Sequence, residues 1–387
     1  MNSFYQQHFE SIAKKHVKRT LKQHASFLTL TGARNFIEDI TAYQVTIKTK
    51  KTRGTGNKLS IKNIIKASTW AFYVRTWNRK DLEQFTNFTS ALMGLLRLIF
   101  LPIAHLWKAS TGLLRITLGG RRFFFGGLEA PTENDVKLAL DNGALFFLWN
   151  FYNLGGRSIK DFCEKHNRVG IVDPGVFSFM NKPEKAKDFS IKKYAEFIVE
   201  HKEYLLGYLN YDWGTWEEMK ANYDYLSRKT GIRPIPVWIP EYGFETLDEL
   251  INEDHPLIAI GRLLKMHKSH QKKLFDKLFE KYPNQNFHAL GVSGEWLFRY
   301  PFYSADSTSW SRHAREKNQI VTPNGTVKNV FQSANDCIAY CVRTLSELEN
   351  KYDMDIQLDI FSFTKKMQQE VKRMEKKQES LQFALEL

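Results

Sequence analysis

Eight apolar segments, separated by stretches of helical periodicity, occupy the chain from residue 122 to residue 310. Apolar residues run on within each segment and do not alternate with polar ones, which is the pattern of strands buried on both faces. The segments are residues 122–128, 144–154, 169–179, 206–212, 233–241, 256–263, 286–294 and 303–310. The helical patterns between them lie at 132–142, 158–166, 191–205, 215–231, 246–254, 269–282 and 295–300.

This alternation predicts an α/β protein whose parallel strands form a (β/α)8 TIM barrel. A doubly wound open sheet is the alternative, but its nucleotide-binding forms carry a G-x-G-x-x-G turn after the first strand, and this chain lacks that turn. We expect the barrel at 119–330. A basic extension at 1–118 precedes it. A helical segment at 331–387 follows it and contains a charged sequence, KKMQQEVKRMEKKQE, that is typical of a solvated face.

The positive charge of the chain is concentrated before the predicted barrel. The whole sequence has 56 Lys and Arg against 42 Asp and Glu, and residues 1–122 hold 21 of the basic residues but only 5 of the acidic ones. Such an excess predicts a polyanionic partner, although a basic segment can also simply keep a chain soluble. If this segment grips the partner, removal of residues 1–118 should abolish binding more than it disturbs the barrel.

Local patterns in the first third predict mostly helices. Residues 1–25 and 67–118 have helical apolar patterns, whereas residues 42–66 alternate around Gly54 and Gly56 and predict a cationic hairpin. An apolar stretch at 90–107 carries an arginine near its centre, which would cost about 2.5–3.5 kcal/mol in a membrane. We therefore expect a buried or interfacial helix there. Three cysteines and a start without an apolar run fit a reducing cytoplasm and no secretory signal.

Two carboxylates follow well-separated predicted strands. Asp173 comes at the end of the strand part of the third apolar segment, and Asp306 lies in the eighth. Catalytic groups of TIM barrels sit at the carboxyl ends of the strands, so both side chains are expected at one mouth. Such a pair can divide the work of nucleophile and acid/base, because different surroundings separate their pKa values. An aspartate after a strand also commonly caps a helix or forms a turn, which is the alternative for each.

Several of these segments resemble one enzyme family. DPGVF at 173–177 resembles the DSGGF or DSGGY segment of the tRNA-guanine transglycosylase superfamily, and LGVSGEWLFRYPFYSADS at 290–307 resembles the segment that leads to its nucleophilic aspartate. PIPVWIP (234–240), IAIGRL (258–263) and VTPNGTVKNV (321–330) are similar to its intervening strands and its following hairpin, in the same order. YPFYSADSTSW looks most like the phage and mobile-element branch, whose members exchange guanine for a 7-deazaguanine in DNA.

The resemblance implies a role for each matching residue. Asp306 would attack C1′ of the target nucleoside, expel guanine and form a covalent intermediate, while Asp173 would relay the proton of the base. Phe177 would stack on the base, with packing at the rim as its alternative. Gly261 would let the base approach the sixth strand, and Gly291, in the Gly-Val segment before the nucleophile, is assigned to the same base site.

Recognition of the base departs from the family pattern. Asp212 or Asn210 would hydrogen-bond the guanine edge, and the sequence leaves open which of them does so. Glu241 stands near the position where the family presents an amide. Pro174 and Val176 replace the family's serine and glycine, and since proline fixes φ and lacks an N–H, a different loop path is expected there.

No cofactor and no metal are expected. The family's zinc site needs three closely spaced cysteines and a histidine. Cys337 and Cys341 stand four residues apart with no third cysteine nearby. Cysteines at this spacing on a helix more often simply pack in the core.

The expected DNA substrate requires phosphate contacts. A base cannot be exchanged inside a duplex, so the nucleotide must be flipped out or supplied in single-stranded DNA. Two basic segments could contact the backbone. They contain Arg312, Arg315 and Lys317 after the eighth segment, and Lys50, Lys51, Arg53 and Lys58 in the cationic hairpin. A solvated loop is the alternative for the hairpin.

The expected function is therefore a cytoplasmic DNA-guanine transglycosylase, a glycosyltransferase that takes a preQ0-like 7-deazaguanine base and needs no membrane. The same chemistry on tRNA is one alternative, against which the missing zinc cluster argues. A DNA-binding protein without catalysis, on a degenerate barrel, is another, because the DPGVF departure permits it. A barrel hydrolase of a different nucleoside or sugar is a more distant alternative. The oligomeric state is left open by the sequence.

Overall fold

A computed structural model describes residues 13–350, except for short gaps. The gaps are at 15–16, 19, 53, 101–103, 109–111, 119–120, 130–131, 167, 180–188, 254, 284 and 323. Of the expectations above, Arg53 and the charged sequence KKMQQEVKRMEKKQE therefore lie outside the described residues.

Two small antiparallel sheets and two helices precede the predicted barrel. The first sheet contains β1 (Ser26–Leu28), β2 (Arg34–Ile40), β3 (Gln44–Lys48) and β4 (Asn57–Ser60), in that order. The second contains β5 (Thr76–Asn78), β6 (Ala104–Lys108) and β7 (Leu114–Leu118), with β7 in the middle. Helices Ile61–Val74 and Thr89–Ile99 pack with both sheets around one apolar core. We call this part the N-terminal unit.

The N-terminal unit confirms the hairpin and corrects the helical expectation. β3 and β4 pair antiparallel, but the chain turns helical directly after them, where Ser60 Oγ accepts a hydrogen bond from the backbone N of Asn63. Residues 67–118 are helical only in part, because β5, β6 and β7 pair with one another. Within 90–107 the helix ends at Ile99, and Pro102, which follows in the sequence, lacks the N–H that a helix needs. Residues 92–97 and Ile99 of this helix are buried, and Ser90 near its start is exposed.

None of the helices in the described part of the chain is long and apolar enough to cross a membrane.

Eight parallel strands follow and form one curled sheet. They are β8 (Arg122–Phe125), β9 (Phe146–Asn150), β10 (Val169–Asp173), β11 (Leu205–Tyr208), β12 (Val237–Trp238), β13 (Ile258–Ile260), β14 (Phe287–Ala289) and β15 (Ser304–Ser307). All eight apolar segments therefore contain a strand. Their order is β11-β10-β9-β8-β15-β14-β13-β12, so the first and last strands of the series are neighbours. This is consistent with a TIM-like α/β fold, and we call the end at which the strands' carboxyl termini lie the mouth.

The two outer strands of the curled sheet, β11 and β12, are bridged by residues that lie just outside them. The bridge joins the residue after the end of β11 to a residue two positions before the start of β12. Leu209 and Ile235 form a parallel bridge. The backbone N of Ile235 donates to Tyr208 O at 2.7 Å, and the N of Asn210 donates to Ile235 O at 2.9 Å. Main-chain hydrogen bonds therefore connect the edges of the sheet at this point.

Helices cover the outside of the curled sheet, as the periodicity predicted. The described helices from here on are Glu133–Asp141, Phe151–Leu154, Lys160–His166, Val176–Phe179, Ile191–His201, Trp216–Thr230, Phe244–Asn252, Lys268–Lys281, Glu295–Arg299, Ser309–Lys317 and Ala334–Asn350. A hairpin of β16 (Gln319–Thr322) and β17 (Gly325–Lys328) precedes the last of them. Thr132 Oγ1 accepts from the backbone N of Asp135 and so caps helix Glu133–Asp141.

The end of the second apolar segment is not a strand. Asn150 closes β9, and its Oδ1 accepts a hydrogen bond from the backbone N of Asn153, so Phe151–Leu154 forms a helical turn. The side-chain cap competes successfully with continued strand pairing, because asparagine offers the backbone a local acceptor.

The described part of the C-terminal segment belongs to the same core as the curled sheet. Cys337, Ile338, Cys341 and Val342 of helix Ala334–Asn350 are fully buried in the apolar cluster that contains most of the sheet's outward-facing residues. A boundary at residue 331 therefore does not separate an independent segment. The prediction of a helix in this segment is confirmed for Ala334–Asn350. The solvated face was predicted for the sequence KKMQQEVKRMEKKQE and does not concern this helix.

The N-terminal unit packs against the amino ends of the parallel strands, which is the end opposite to the mouth. Arg122, the first residue of β8, is 2% exposed, and its Nη2 donates to Phe72 O at 2.9 Å. Its guanidinium lies 4.0 Å from the ring centre of Phe146. The hydroxyl of Tyr303, next to β15, donates to Val74 O at 2.6 Å. The C-terminal end of helix Ile61–Val74 thus covers the amino end of the sheet.

This packing changes what removal of residues 1–118 should do. Phe72 packs on an apolar cluster inside the sheet that includes Phe124, Phe146 and Ile171. Deleting the N-terminal unit would expose this cluster to water, at about 25 cal/mol for each Å² of apolar surface. We therefore expect the chain without residues 1–118 to be less stable than the full chain. This loss of stability is independent of any effect of the deletion on binding to a polyanion.

The contact can be tested by Arg122→Ala. Because the change removes the hydrogen bond to Phe72 O and the guanidinium that covers the ring of Phe146, it should lower the free energy of unfolding by about 2–4 kcal/mol. Urea denaturation measures this, with Arg343→Ala, an exposed arginine, as the control that should change stability by less than about 0.5 kcal/mol. Equal effects of the two variants would contradict the packing.

Candidate active site

Asp306, the candidate nucleophile, is held through one of its two carboxylate oxygens. It lies in β15 and is 9% exposed. Oδ1 accepts the backbone N–H of Gly291 at 3.0 Å and lies 3.2 Å from His288 Nε2. Among the described residues no hydrogen bond reaches Oδ2. The carboxylate is therefore fixed by one oxygen while the other remains available at the mouth.

His288 completes this arrangement from the neighbouring strand. It lies in β14, has no exposed surface, and its Nδ1 is 2.8 Å from Ser304 Oγ. A tautomer with its hydrogen on Nε2 donates to Asp306 and accepts from Ser304, which satisfies both contacts. Phe124 packs edge-on against the ring, with 5.8 Å between ring centres. These contacts fix the orientation of the imidazole, and its contact with Oδ1 in turn fixes the orientation of the Asp306 carboxylate.

Asp173, the candidate acid, ends β10. Burial raises its pKa well above the usual value, and the charges of Asp212 and Asp306 raise it further. Glu129 acts in the same direction, whereas a hydrogen bond from the backbone N of Gly175 to Oδ1, at 2.6 Å, opposes the shift. A carboxyl group that keeps its proton near neutral pH can donate it to a leaving group.

Gly175 makes the loop after Asp173 possible. Its φ is +98°, a conformation that residues with a side chain rarely adopt. A Cβ at this position would lie 2.4 Å from Asn150 Oδ1. The DPGVF segment therefore turns back on itself, so that the N–H of Gly175 reaches the Asp173 carboxyl.

Asp212, one of the two candidates for binding the guanine edge, lies in the mouth. It is 7% exposed, and burial raises its pKa to about 6, although its own backbone N–H and the positive charge of Arg262 act against this. A Cβ placed on Gly261 would lie 3.6 Å from Asp212 Oδ2 and 3.1 Å from Val237 Cγ1. The absence of a side chain on Gly261 therefore lets Val237 and Asp212 pack close to its backbone at the end of β13.

Asn210 turns away from the mouth, which separates the two candidates that the sequence left open. Its Nδ2 donates to Met219 O at 2.8 Å on helix Trp216–Thr230. It lines a cavity of about 380 Å³ between the sheet and two outer helices, and none of the carboxyl groups of the mouth lines that cavity. Asn210 is thus placed to hold a helix and not to bind a base in the mouth.

Glu129 is a fourth carboxyl group at the mouth. Its Oε1 accepts the backbone N–H of Asn150 at 2.8 Å. Burial raises its pKa, while the bond from Asn150 and the charge of Arg157 lower it and the charge of Asp306 raises it. The mouth therefore contains Glu129, Asp173, Asp212 and Asp306, and the charges of the other three raise the pKa of Asp173.

The other predicted base-site residues differ in position. Phe177 is 52% exposed on the short helix after Asp173, so it is free to stack on a bound ring. Gly291 has a φ of +71° and points its N–H at Asp306, a contact that makes it part of the nucleophile's support. Glu241 is exposed on the turn Pro240–Tyr242 that follows β12.

The predicted phosphate contacts are only partly available. Arg312 pairs with Glu316 at 3.1 Å, and Arg315 pairs with Asp135. Lys317 is exposed on the same helix.

In the cationic hairpin, Lys50, Lys51 and Lys58 are exposed. They belong to the N-terminal unit, and helix Ile61–Val74, about 20 Å long, separates the end of β4 from the amino end of the curled sheet. The hairpin is therefore not beside the mouth.

Cys337 and Cys341 pack in the core. The thiol of Cys337 donates to Asn318 Oδ1 at 2.9 Å, and Cys341 Sγ accepts the backbone N–H of Val321 at 3.2 Å. The described residues contain no group of three or more His, Cys, Asp or Glu side chains placed to hold a metal ion.

Sequence reasoning missed His288, Glu129 and Arg262. A histidine inside the apolar strand FHALG was a usable signal, because a buried imidazole needs polar partners on a neighbouring strand. Arg262 was visible as a basic residue directly after Gly261. Glu129 gave no signal, since it follows its strand by several residues and reaches the mouth only through the path of its loop.

Comparison with known proteins adds little. No protein-family model and no curated protein matches the chain. One similar solved structure, titled "Structural study of Project ID from Aquifex aeolicus VF5", shares 13% identity and aligns with a TM-score of 0.39 over 59% of this chain and 93% of that one.

The raised pKa of Asp212 predicts how stability depends on pH. A folded-state pKa of about 6 against about 4 in the unfolded chain means that this group stabilises the fold below pH 4 and that the contribution is lost as pH rises to 6. Asp212→Asn cannot ionise. Its free energy of unfolding, relative to that of the unchanged protein, should therefore rise by about 3 kcal/mol between pH 4 and pH 7.

Asp276→Asn is the control with the opposite sign. Burial acts to raise the pKa of Asp276, but hydrogen bonds from Lys272 and Tyr300 outweigh it and lower that pKa. Its contribution is present at neutral pH and is lost as pH falls, so Asp276→Asn should lose stability at pH 7. Urea denaturation at both pH values measures the two variants, and a parallel response of both would contradict the assignment.

Proposed function

We propose that this protein is a DNA-guanine transglycosylase, which exchanges guanine in DNA for a 7-deazaguanine base through a covalent intermediate. The observation that carries the proposal is the pair of unlike carboxyl groups at one mouth. Asp306 is fixed through Oδ1 with Oδ2 free of hydrogen bonds among the described residues, and the raised pKa of Asp173 keeps a proton beside it. The collinear segments DPGVF and GVSGEWLFRYPFYSADS support the same assignment.

In the first half-reaction Asp306 Oδ2 attacks C1′ of the target deoxyguanosine. The C1′–N9 bond breaks, its electron pair stays on guanine, and Asp173 gives its proton to the leaving base. The deoxyribose is then joined to Asp306 through an ester bond. Asp173, now ionised, takes the N9 proton of the incoming 7-deazaguanine. That nitrogen attacks C1′, the ester bond breaks, and both carboxyl groups return to their starting states.

Base recognition is assigned to the far side of the mouth. Asp212 lies beside Gly261 at the end of β13, and its pKa of about 6 lets it accept or donate a hydrogen bond near neutral pH. The exposed ring of Phe177 would stack on the base. Arg262 adds a positive charge beside Asp212.

We also infer that the curled sheet is a closed (β/α)8 barrel. The bridge between Leu209 and Ile235, with its two backbone hydrogen bonds, supports closure between β11 and β12. Closure brings all eight carboxyl ends around one mouth. That arrangement would exclude water from Asp306, which is needed because water would otherwise hydrolyse the covalent intermediate.

Incorporation of a labelled 7-deazaguanine base into DNA tests the function. Single-stranded and duplex DNA are incubated with the protein, and mass spectrometry of the nucleosides detects incorporation and release of guanine. Asp306→Ala should abolish both, since Asp306 is the proposed nucleophile that forms the ester, and Asp173→Asn should slow release by about 10²–10⁴-fold. Incorporation into tRNA but not into DNA would assign the same chemistry to the other substrate, and no exchange into either would contradict the proposal.

His288 should act as a positioning residue in this reaction. Loss of its hydrogen bond frees Oδ1 of Asp306, and a displacement of about 1 Å can cost about 10²-fold in rate. His288→Ala should therefore lower kcat by about 10²-fold and leave KM within about 2-fold, because it touches no substrate. His288→Gln should restore part of kcat by donating from its amide. A rise in KM without loss of kcat would argue against the positioning role.

A further inference from the structure

A basic segment borders the mouth beside Asp306. Residues 261–273 follow β13 and contain Arg262, Lys265, Lys268, Lys272 and Lys273, with no Asp or Glu among them. The four lysines are all exposed. We call this stretch the rim segment. It was not among the basic segments expected to meet nucleic acid.

Side-chain contacts tie the rim segment to the loop that holds the nucleophile. A Cβ on Gly291 would lie 2.7 Å from Leu264 Cδ1, so the leucine side chain lies directly on this glycine, whose N–H binds Asp306. Lys268 pairs with Glu295 at 3.2 Å on the following loop. The lysines of the rim segment are thus at the border of the mouth on the side of Asp306.

The start of helix Lys268–Lys281 has charges that lower its own stability. Its first turn begins with Lys268 and has no acidic residue, and Lys272 and Lys273 follow in the next turn. Positive side chains at a helix N-terminus repel the positive end of the helix dipole. Helix Trp216–Thr230 shows the favourable arrangement, with two glutamates in its first turn and Arg and Lys in its last. Lysines kept at an unfavourable position, next to the mouth, indicate an anionic partner.

Two lysines of the rim segment, Lys265 and Lys273, form no ion pair within the described residues. Lys272 pairs with Asp276, and Lys268 pairs with Glu295 but keeps 71% of its side chain exposed. On helix Ser309–Lys317, Arg312 and Arg315 pair with Glu316 and Asp135, which leaves Lys317. The hairpin in the N-terminal unit lies beyond the amino end of the strands. An exposed apolar side chain, Leu264, stands among the lysines at 56% exposure.

We propose that the rim segment is the surface that binds the DNA backbone next to the target nucleotide. Lys265, Lys268 and Lys273 contact the phosphates, and Leu264 packs against a base that flanks the flipped guanine. This rests on the proposed function, because the partner is taken to be DNA that presents its guanine to Asp306. The N-terminal unit then serves mainly to cover the amino end of the curled sheet.

DNA affinity measured across a salt series tests the proposal. The triple variant Lys265→Ala, Lys268→Ala, Lys273→Ala is compared with the full chain on a guanine-containing single-stranded oligonucleotide by fluorescence anisotropy. Three lost phosphate contacts should lower the affinity at least about tenfold at 0.1 M salt and reduce the slope of log K against log salt by about 2. Because the lysines are exposed, the thermal midpoint should stay the same or rise.

Two further triple variants complete the design. Lys193→Ala, Lys202→Ala, Lys229→Ala removes the same charge from outer helices and should change affinity by less than about 2-fold. Lys50→Ala, Lys51→Ala, Lys58→Ala removes it from the hairpin, and a loss there that equals or exceeds the loss at the rim overturns the proposal. Tight binding of a matched RNA with no binding of DNA overturns it as well.

The outcome is separable from that of the proposed function. Base exchange by the full chain is measured in parallel by nucleoside mass spectrometry. DNA binding that depends on the rim lysines, without base exchange, supports the surface and contradicts the transglycosylase. Base exchange that is unaffected in the rim variant at DNA concentrations below KM, together with unchanged affinity, supports the enzyme and overturns the surface.

Discussion

Repulsion among the carboxyl groups of the mouth is the constraint on which the site depends. Like charges close together in a site with little water oppose one another's ionisation. Desolvation and the charges of Asp212, Asp306 and Glu129 raise the pKa of Asp173, and the single bond from Gly175 does not offset this. Asp306 accepts the N–H of Gly291 and lies within hydrogen-bond distance of His288. The two carboxyl groups therefore have unlike surroundings, which is the property that the proposed reaction uses.

The support for these contacts comes from neighbouring strands and from the opposite end of the sheet. Ser304 and Asp306 lie two residues apart in β15, so both face His288 on β14 from the same side of the strand. Strand β15 also pairs with β8, whose first residue, Arg122, is covered by the N-terminal unit. The concentration of positive charge in the first third of the sequence is therefore compatible with a structural role for that part of the chain.

The sequence predicted the parallel strands well because their signal is local. Strands buried on both faces need apolar residues at consecutive positions. Each of the eight apolar segments contains one such strand. The positions of Asp173 at the end of β10 and of Asp306 in β15 followed from the same strand pattern, and their catalytic roles remain a proposal. The first third was harder, since β5, β6 and β7 are short and gain their stability only from pairing with one another. Helix and strand patterns of such length are hard to tell apart before the partner strand is known.

The details of the site depended on distant residues. Asn210 and Asp212 are two positions apart and chemically alike, and only the contact with Met219 shows that Asn210 faces a helix. Glu129 reaches the mouth through its loop, and the role of His288 exists only because Ser304 and Asp306 lie across from it. The helix that contains Cys337 and Cys341 looked like part of a separate segment, because a buried helix face and a partner interface have the same apolar pattern.

The covalent intermediate is the most direct test of this account. The protein is incubated with guanine-containing single-stranded DNA in the absence of an incoming base, denatured, and examined by intact-mass and peptide mass spectrometry. The account predicts a DNA adduct with one guanine lost, located on the peptide that contains Asp306. An adduct on a different carboxylate, or release of guanine with no adduct at all, would contradict it.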